Sequence, residues 1–155
     1  MRALLLDLAI AGAVSGLVAV LLMTVFEFPF WHRFGMSGVV QWQVNEIMTS
    51  RLFSERYVEG KRLRYAIAMH LSHGITLGAL FSILLALVPA VPLWTLLLAG
   101  VSYSTILWLI VPFSFRDRLQ RAGKTRFTKL GIAVSFLAHL VYGFFLGGLL
   151  ILLLG

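Results

Sequence analysis

The sequence predicts an all-α integral membrane protein: a four-helix bundle made of two duplicated helical hairpins, with an amphipathic interfacial helix on the cytoplasmic side. Three observations predict this fold, namely the apolar composition, the long apolar segments and a repeated pattern. The 155 residues are 60% hydrophobic and 12% charged, whereas a soluble domain is about 45–50% apolar and about 25% charged. One small core cannot bury so much apolar surface, so we expect lipid to surround the chain.

Four segments are long and apolar enough to cross a membrane, and they lie at about 8–31, 64–88, 92–115 and 130–154. Crossing the ~30 Å hydrocarbon core takes about 20 mainly apolar residues of helix. The apolar runs are continuous rather than alternating, which favours helices, because lipid cannot satisfy the backbone groups of an open strand. We therefore treat residues 1–155 as a single transmembrane domain.

The insertion at 34–63, between the first two segments, is less apolar than its surroundings. Within it, Val40, Val44 and further apolar residues recur at helical spacing, while polar residues such as Asn45 fall between them, which predicts an amphipathic helix. We expect this helix to lie flat on the cytoplasmic leaflet with Trp42 at headgroup depth. Docking of the helix onto a partner protein is the alternative.

The basic residues are distributed unequally between the two sides of the predicted membrane. Of the 13 Lys and Arg residues, all but Arg2 lie at the first or the third connection between segments. The positive-inside rule therefore predicts a multi-pass protein of the cell membrane with cytoplasmic basic loops and with both termini outside. We expect the basic residues, which give the chain its net charge of +7, to contact anionic lipid headgroups. A nucleic-acid partner is not expected.

An eleven-residue pattern occurs twice, as HLSHGITLGAL at 70–80 and as HLVYGFFLGGL at 139–149. A second echo joins PFWHR at 29–33 to PFSFR at 112–116. Two matched pairs in the same order predict an internal repeat in which each copy is a two-helix hairpin. Because each copy has an even number of spans, we expect the copies to be related by an axis along the membrane normal.

Each copy of the pattern places one histidine and two glycines four residues apart, on one face of a helix. These residues are His70, Gly74 and Gly78 in the first copy and His139, Gly143 and Gly147 in the second. Small residues at this spacing let membrane helices approach closely. We predict that the four glycines are helix-packing positions.

Ionisable residues inside a membrane span are costly and are candidates for function; here they are Glu27, His70, His73 and His139. Structural hydrogen bonding is one interpretation, with His70 paired to Glu27 and with His139 bonded to Tyr103, a backbone carbonyl or water. A proton or cation path is another. His70 and His139 are also candidate haem b ligands, and His70, His73 and Glu27 are candidate metal ligands.

No nucleophile elbow, phosphate-binding loop or dinucleotide fingerprint is present in the sequence, so we do not expect an enzyme that acts alone. A small accessory or scaffold subunit, with other membrane subunits as its partners, is the first expectation. A small transporter or channel unit that uses Glu27 and the in-span histidines is the alternative. A bis-histidine haem protein or a metal-binding redox protein is the third possibility.

Two motifs carry a resemblance to a known group. GLVAVLLMT at 16–24, followed by Glu27, and HLVYGFFLGGL at 139–149 resemble the G-x-x-A-x-x-x-M-T opening and the H-L-x-Y-G-x-x-L-G close of the uncharacterised YagU-like small four-helix membrane proteins and their archaeal relatives. The resemblance implies a four-helix membrane fold. It implies no activity, cofactor or site residue.

Overall fold

The computed structural model describes residues 2–34, 39–52, 62–88, 92–121 and 128–154. Across these residues the chain forms five α-helices and no strand: α1 (Arg2–Phe34), α2 (Val40–Leu52), α3 (Arg62–Leu85), α4 (Thr95–Arg121) and α5 (Lys129–Leu154). The predicted all-α class is therefore confirmed. The rest of the predicted 34–63 insertion, residues 89–91 before the third predicted span, and residues 122–127 between α4 and α5 lie outside the described residues.

In the described part of the chain, three helices are long and apolar enough to cross a membrane: Leu4–Arg33 in α1, Leu63–Leu85 in α3 and Lys129–Leu154 in α5. The prediction of a membrane protein is supported at this level. α4 carries a shorter apolar stretch, Thr95–Ile110, within the third predicted span. Many large apolar side chains on these helices, such as Val25 and Leu152, are exposed, and so continuous an apolar surface suits lipid.

The four long helices pack in pairs. α1 packs most extensively against α3, α4 packs almost as extensively against α5, and α1 also packs along α5. α3 and α4 approach each other closely at very few described positions. α1 and α5 are therefore in contact, whereas a gap separates α3 from α4.

Glycines bring the backbones of α1 and α3 together. A Cβ atom added to Gly16 would overlap the carbonyl oxygen of Gly74, and one added to Gly78 would overlap that of Gly12. Backbone atoms cannot move aside as a flexible side chain can, so only glycine suits these positions. Small residues of this kind permit close helix contacts in membranes.

The α4–α5 pair contains the same kind of contact. A Cβ atom on Gly143 would overlap the Gly100 carbonyl oxygen and the Ser104 hydroxyl, and one on Gly147 would overlap the carbonyl oxygen of Leu96. The structure thus places the four glycines of the sequence pattern at helix contacts. These contacts lie within each pair of helices and not between α3 and α5.

α2 lies inside the assembly of long helices. Trp42 is only 1% exposed, and it forms a buried apolar cluster with Val39, with Ala66 of α3 and with Val134 of α5. The prediction that α2 lies flat on the leaflet is therefore wrong, whereas the depth of Trp42 in the membrane stays a prediction. The physical reason is that both kinds of side chain on α2 find partners in the protein: the apolar ones contact the long helices, and polar ones such as Asn45 bond buried side chains.

Candidate functional site

A cavity of about 290 Å³ lies where α3 and α4 are apart, with α2 on one side of it. Most of its wall is apolar and includes Val20 and Met23 of α1 and Leu107 and Ile110 of α4. Its polar lining consists of Gln41, Asn45, His70, His73, His139 and Tyr142. The structure therefore brings the three in-span histidines to one cavity, whereas Glu27 is outside its lining.

Two tyrosines connect α4 and α5 to α3 by hydrogen bonds to backbone carbonyl groups. The Tyr142 hydroxyl donates a hydrogen bond to the carbonyl oxygen of Gly74 at 3.0 Å, and the Tyr103 hydroxyl donates to that of Leu77 at 3.0 Å. The Tyr103 ring also lies 4.9 Å from the ring of Phe81, centre to centre. Side chains thus hold α4 and α5 to α3 where the backbones are apart, and Tyr142 is also part of the cavity lining.

Asn45 of α2 bonds two of the cavity histidines. Its Nδ2 atom lies 3.2 Å from Nδ1 of His70, and its Oδ1 atom lies 3.1 Å from Nδ1 of His73. His70 and His73 can reach the same amide because residues three apart are neighbours on a helix face. The Thr49 hydroxyl, which donates to the Asn45 carbonyl oxygen at 2.6 Å, ties the next turn of α2 to the same residue.

Glu27 is fully buried, and its partner is Trp42 rather than the predicted His70. Trp42 Nε1 donates to Glu27 Oε2 at 2.6 Å, and the indole lies against the His70 ring with 4.5 Å between the ring centres. The predicted Glu27–His70 hydrogen bond is wrong because Trp42 bonds the carboxyl group and Asn45 bonds the imidazole. An indole N–H can donate but not accept, so Trp42 cannot relay a proton between Glu27 and His70.

His139 bonds within its own helix. Its Nδ1 atom lies 2.8 Å from the carbonyl oxygen of Ser135, which can only accept, so Nδ1 donates this bond. A backbone carbonyl is one of the three partners that the sequence suggested. The hydroxyls of Tyr103, Ser104 and Thr105 also donate to helix carbonyl oxygens.

Polar atoms without partners lie on two buried side chains of the cavity lining. His70 is 5% exposed and Gln41 is 7% exposed. Nε2 of His70 and both amide atoms of Gln41 have no hydrogen-bond partner among the described residues. Buried polar atoms nearly always have a partner in the protein or in bound water. Both side chains line the cavity, although the three atoms themselves are almost wholly covered.

In the described part of the chain, no group of three or more His, Asp or Glu side chains is placed to hold a metal ion. Three residues are predicted metal ligands. The Nδ1 atoms of His70 and His73 are hydrogen-bonded to the amide of Asn45, and Glu27 is hydrogen-bonded to Trp42. The predicted haem ligands His70 and His139 both line the cavity. Haem ligation stays a prediction.

Sequence reasoning missed Gln41, Asn45 and Tyr142 as site residues. A signal was present in the sequence, since imidazoles in lipid need hydrogen-bond partners and the spans offer few. Gln41 and Asn45 are four residues apart and share one face of a helix, so the insertion was a source of two amides that could meet His70 and His73.

No protein-family model matches the chain, and neither the curated proteins nor the solved structures give a significant match. The resemblance to YagU-like proteins therefore stays a prediction.

Proposed function

We propose that the protein binds a small, mostly apolar molecule with an uncharged polar head group, inside the membrane. The observation that carries this proposal is the cavity of about 290 Å³, whose mostly apolar lining includes His70 and Gln41, two side chains with unpartnered buried polar atoms. Ligand sites are typically mainly apolar cavities of roughly 300–1,000 Å³ with a few placed polar groups. A cavity of this volume would hold the polar head group of the ligand and the first part of its apolar tail.

The polar lining indicates a head group without charge. The polar side chains that line the cavity in the described residues are amides, imidazoles and one phenol, with no Lys, Arg, Asp or Glu among them. A charged head group would lack a counter-ion in apolar surroundings, which is strongly unfavourable. Amides and imidazoles can instead form hydrogen bonds with a hydroxyl or a carbonyl group.

The gap between α3 and α4 gives the ligand a lateral route from the lipid into the cavity. The cavity walls are mainly apolar, which is unsuitable for an ion path. The route therefore favours a small transporter, or a carrier of membrane-soluble molecules. The accessory-subunit hypothesis has less support than the sequence suggested. Its docking helix, α2, buries Trp42 and Asn45 within the same chain.

We include the duplicated hairpin and the topology in the proposal. The similar backbone contacts of Gly74 on Gly16 and of Gly143 on Gly100 support two related copies. The concentration of basic residues at two connections supports a cytoplasmic position for the α2 end of the molecule. In this arrangement the cavity lies in the cytoplasmic half of the cell membrane.

The test is to identify molecules that co-purify with the protein and to compare two variants. Val44→Phe adds a ring beside the cavity, which Val44 lines, whereas Val25→Phe adds the same ring on an exposed face of α1. Solvent extraction followed by mass spectrometry should recover one apolar, uncharged compound from the wild type and from Val25→Phe but not from Val44→Phe. Equal recovery from all three would contradict binding in the cavity.

Haem binding is the second candidate, because His70 and His139 both line the cavity. An absorbance scan of the same purified protein decides between the two. A Soret band that disappears in both His70→Ala and His139→Ala would assign the cavity to haem.

A further inference from the structure

The amide of Asn45 imposes different roles on the two histidines that it bonds. Its Nδ2 atom can only donate and its Oδ1 atom can only accept. Nδ1 of His70, 3.2 Å from Nδ2, therefore accepts, and Nδ1 of His73, 3.1 Å from Oδ1, donates. When both rings are neutral they are consequently opposite tautomers. Turning the amide by half a rotation exchanges the two roles and leaves the rings opposite.

The roles of the Nδ1 atoms determine what each ring offers at Nε2. With the amide oriented in this way, His70 carries its proton on Nε2 and His73 has a bare Nε2 that can accept. His139 donates through Nδ1 to the Ser135 carbonyl oxygen, so its neutral ring also has a bare Nε2. All three histidines line the cavity. The site therefore combines at least one imidazole donor with imidazole acceptors.

In this orientation of the amide, the imidazole donor is an atom that lacks a partner. Nε2 of His70 is buried and unbonded among the described residues, and so are both amide atoms of Gln41, which add one further donor and one further acceptor. A carbonyl or an ether oxygen on a ligand could satisfy only the donors. A hydroxyl group both accepts and donates, and so it suits the whole set.

We propose that the cavity recognises the hydroxyl group of an apolar alcohol or phenol, and that Asn45 is the positioning residue that holds His70 and His73 in opposite tautomers, so that one ring donates and the other accepts. The inference rests on the proposed function and specifies its ligand. The apolar part of the ligand would lie against Leu107 and Ile110 and would extend through the gap between α3 and α4. Asn45 acts here through His70 and His73 and need not touch the ligand.

The tautomers can be measured directly by ¹⁵N NMR of protein labelled in the histidine rings, with His→Gln variants to assign the signals. At a pH where the rings are neutral, His70 and His73 should show opposite tautomers in the wild type. Asn45→Leu should abolish this opposition, whereas Ser82→Ala, which alters another buried polar residue of α3 outside the cavity lining, should preserve it. Identical tautomers in the wild type would overturn the inference about Asn45.

The ligand class is tested with three matched probes: 4-hexylphenol, its methyl ether 4-hexylanisole, and hexylbenzene. Binding is measured as the excess uptake by nanodiscs that contain the protein over empty nanodiscs. Wild type and Ser82→Ala should prefer the phenol to the ether by about tenfold, the order of one hydrogen bond to a buried group, and hexylbenzene should bind least. In Asn45→Leu the preference for the phenol should disappear.

The outcomes separate this inference from the proposed function. If the wild type binds all three probes equally and Val44→Phe binds none, the cavity binds apolar molecules but does not recognise a hydroxyl group, and the inference fails alone. If the wild type takes up no probe, or shows a haem band that requires His70 and His139, the proposed function fails as well.

Discussion

Glu27 and Trp42 show how single residues connect α2 to the long helices. The buried carboxyl group of Glu27 receives one hydrogen bond, from Trp42 Nε1 at 2.6 Å, and its Oε1 atom has no partner among the described residues. The Trp42 indole also contacts the rings of Trp31 and His70. One side chain of α2 thus satisfies a buried acceptor of α1 and fills the space beside the cavity.

Removing the indole N–H should destabilise the protein. Trp42→Phe leaves both oxygens of Glu27 without a partner, and we expect a loss of about 1–3 kcal/mol from the unpaired buried group, with a further loss from packing. Trp94→Phe is the matched control, because Trp94 is exposed, and it should leave the stability unchanged. Thermal unfolding in detergent, followed by circular dichroism, measures both. Equal melting temperatures for the two variants would mean that the Glu27–Trp42 bond contributes nothing.

A conservative change at Glu27 tests the same bond from the other side. Glu27→Gln keeps an oxygen that can accept from Trp42, whereas Glu27→Leu removes it and leaves the indole N–H buried without a partner. We expect Glu27→Gln to unfold within a few degrees of the wild type and Glu27→Leu to be less stable by about 1–3 kcal/mol. Greater destabilisation by Gln than by Leu would indicate that the charge, and not the acceptor, is what Trp42 requires.

At the scale of helices, adjacent glycines differ sharply in their surroundings. Gly147 lies against backbone atoms of α4, including the Leu96 carbonyl oxygen, whereas a Cβ on Gly148 would meet only the side chain of Leu97 at 3.6 Å. The first position admits no side chain without moving α4 away from α5. The second allows ordinary van der Waals contact.

The two alanine variants should therefore change stability in opposite directions. Gly148→Ala should be neutral or stabilising by up to about 1 kcal/mol, the difference in helix propensity between the residues. Gly147→Ala should destabilise by about 1–3 kcal/mol, as overpacking does. Unfolding titrations in mixed micelles give both values. A neutral Gly147→Ala would show that α4 and α5 can separate at no cost, contrary to the close contact.

The sequence predicts the long helices well and α2 poorly, for a physical reason. A continuous apolar run needs lipid and a helical backbone, so α1, α3 and α5 follow from hydropathy alone. In α2, polar residues such as Gln41 and Asn45 alternate with apolar ones, which in a soluble or interfacial helix indicates an exposed face. Here the protein interior is polar where His70 and His73 lie, and so the polar residues of α2 point inward. Periodicity cannot distinguish a polar interior from water.

Cysteine accessibility distinguishes the buried α2 from one that lies flat on a membrane surface. The chain has no cysteine, so single substitutions report alone. Thr49 is 1% exposed and Leu52 is 66% exposed, although they lie within one turn of each other. A soluble maleimide should label Leu52→Cys quickly and Thr49→Cys slowly in detergent. Similar rates for both would mean that α2 is not held between the long helices.

For the whole molecule, the two helix pairs are similar in their contacts but different in what lies beside them. α1 closes on α5, whereas α3 remains apart from α4, and α2 contacts α3, α4 and α5 at this open side. α2 lies between α1 and α3 in the chain and lines the cavity with Gln41, Val44, Asn45 and Met48. The asymmetry of the described helices therefore coincides with the position of α2 and of the cavity.

The orientation proposed for this molecule in the membrane rests on its charges. All but one of the 13 Lys and Arg residues lie at two connections, and basic residues next to spans are retained on the cytoplasmic side. Gly123→Cys, in the second basic connection, should resist an impermeant thiol reagent in intact cells and react after permeabilisation. Gly155→Cys, at the other side, should react in intact cells. The reverse pattern would place α2 and the cavity in the outer half of the membrane, where the ligand would enter from the outer leaflet.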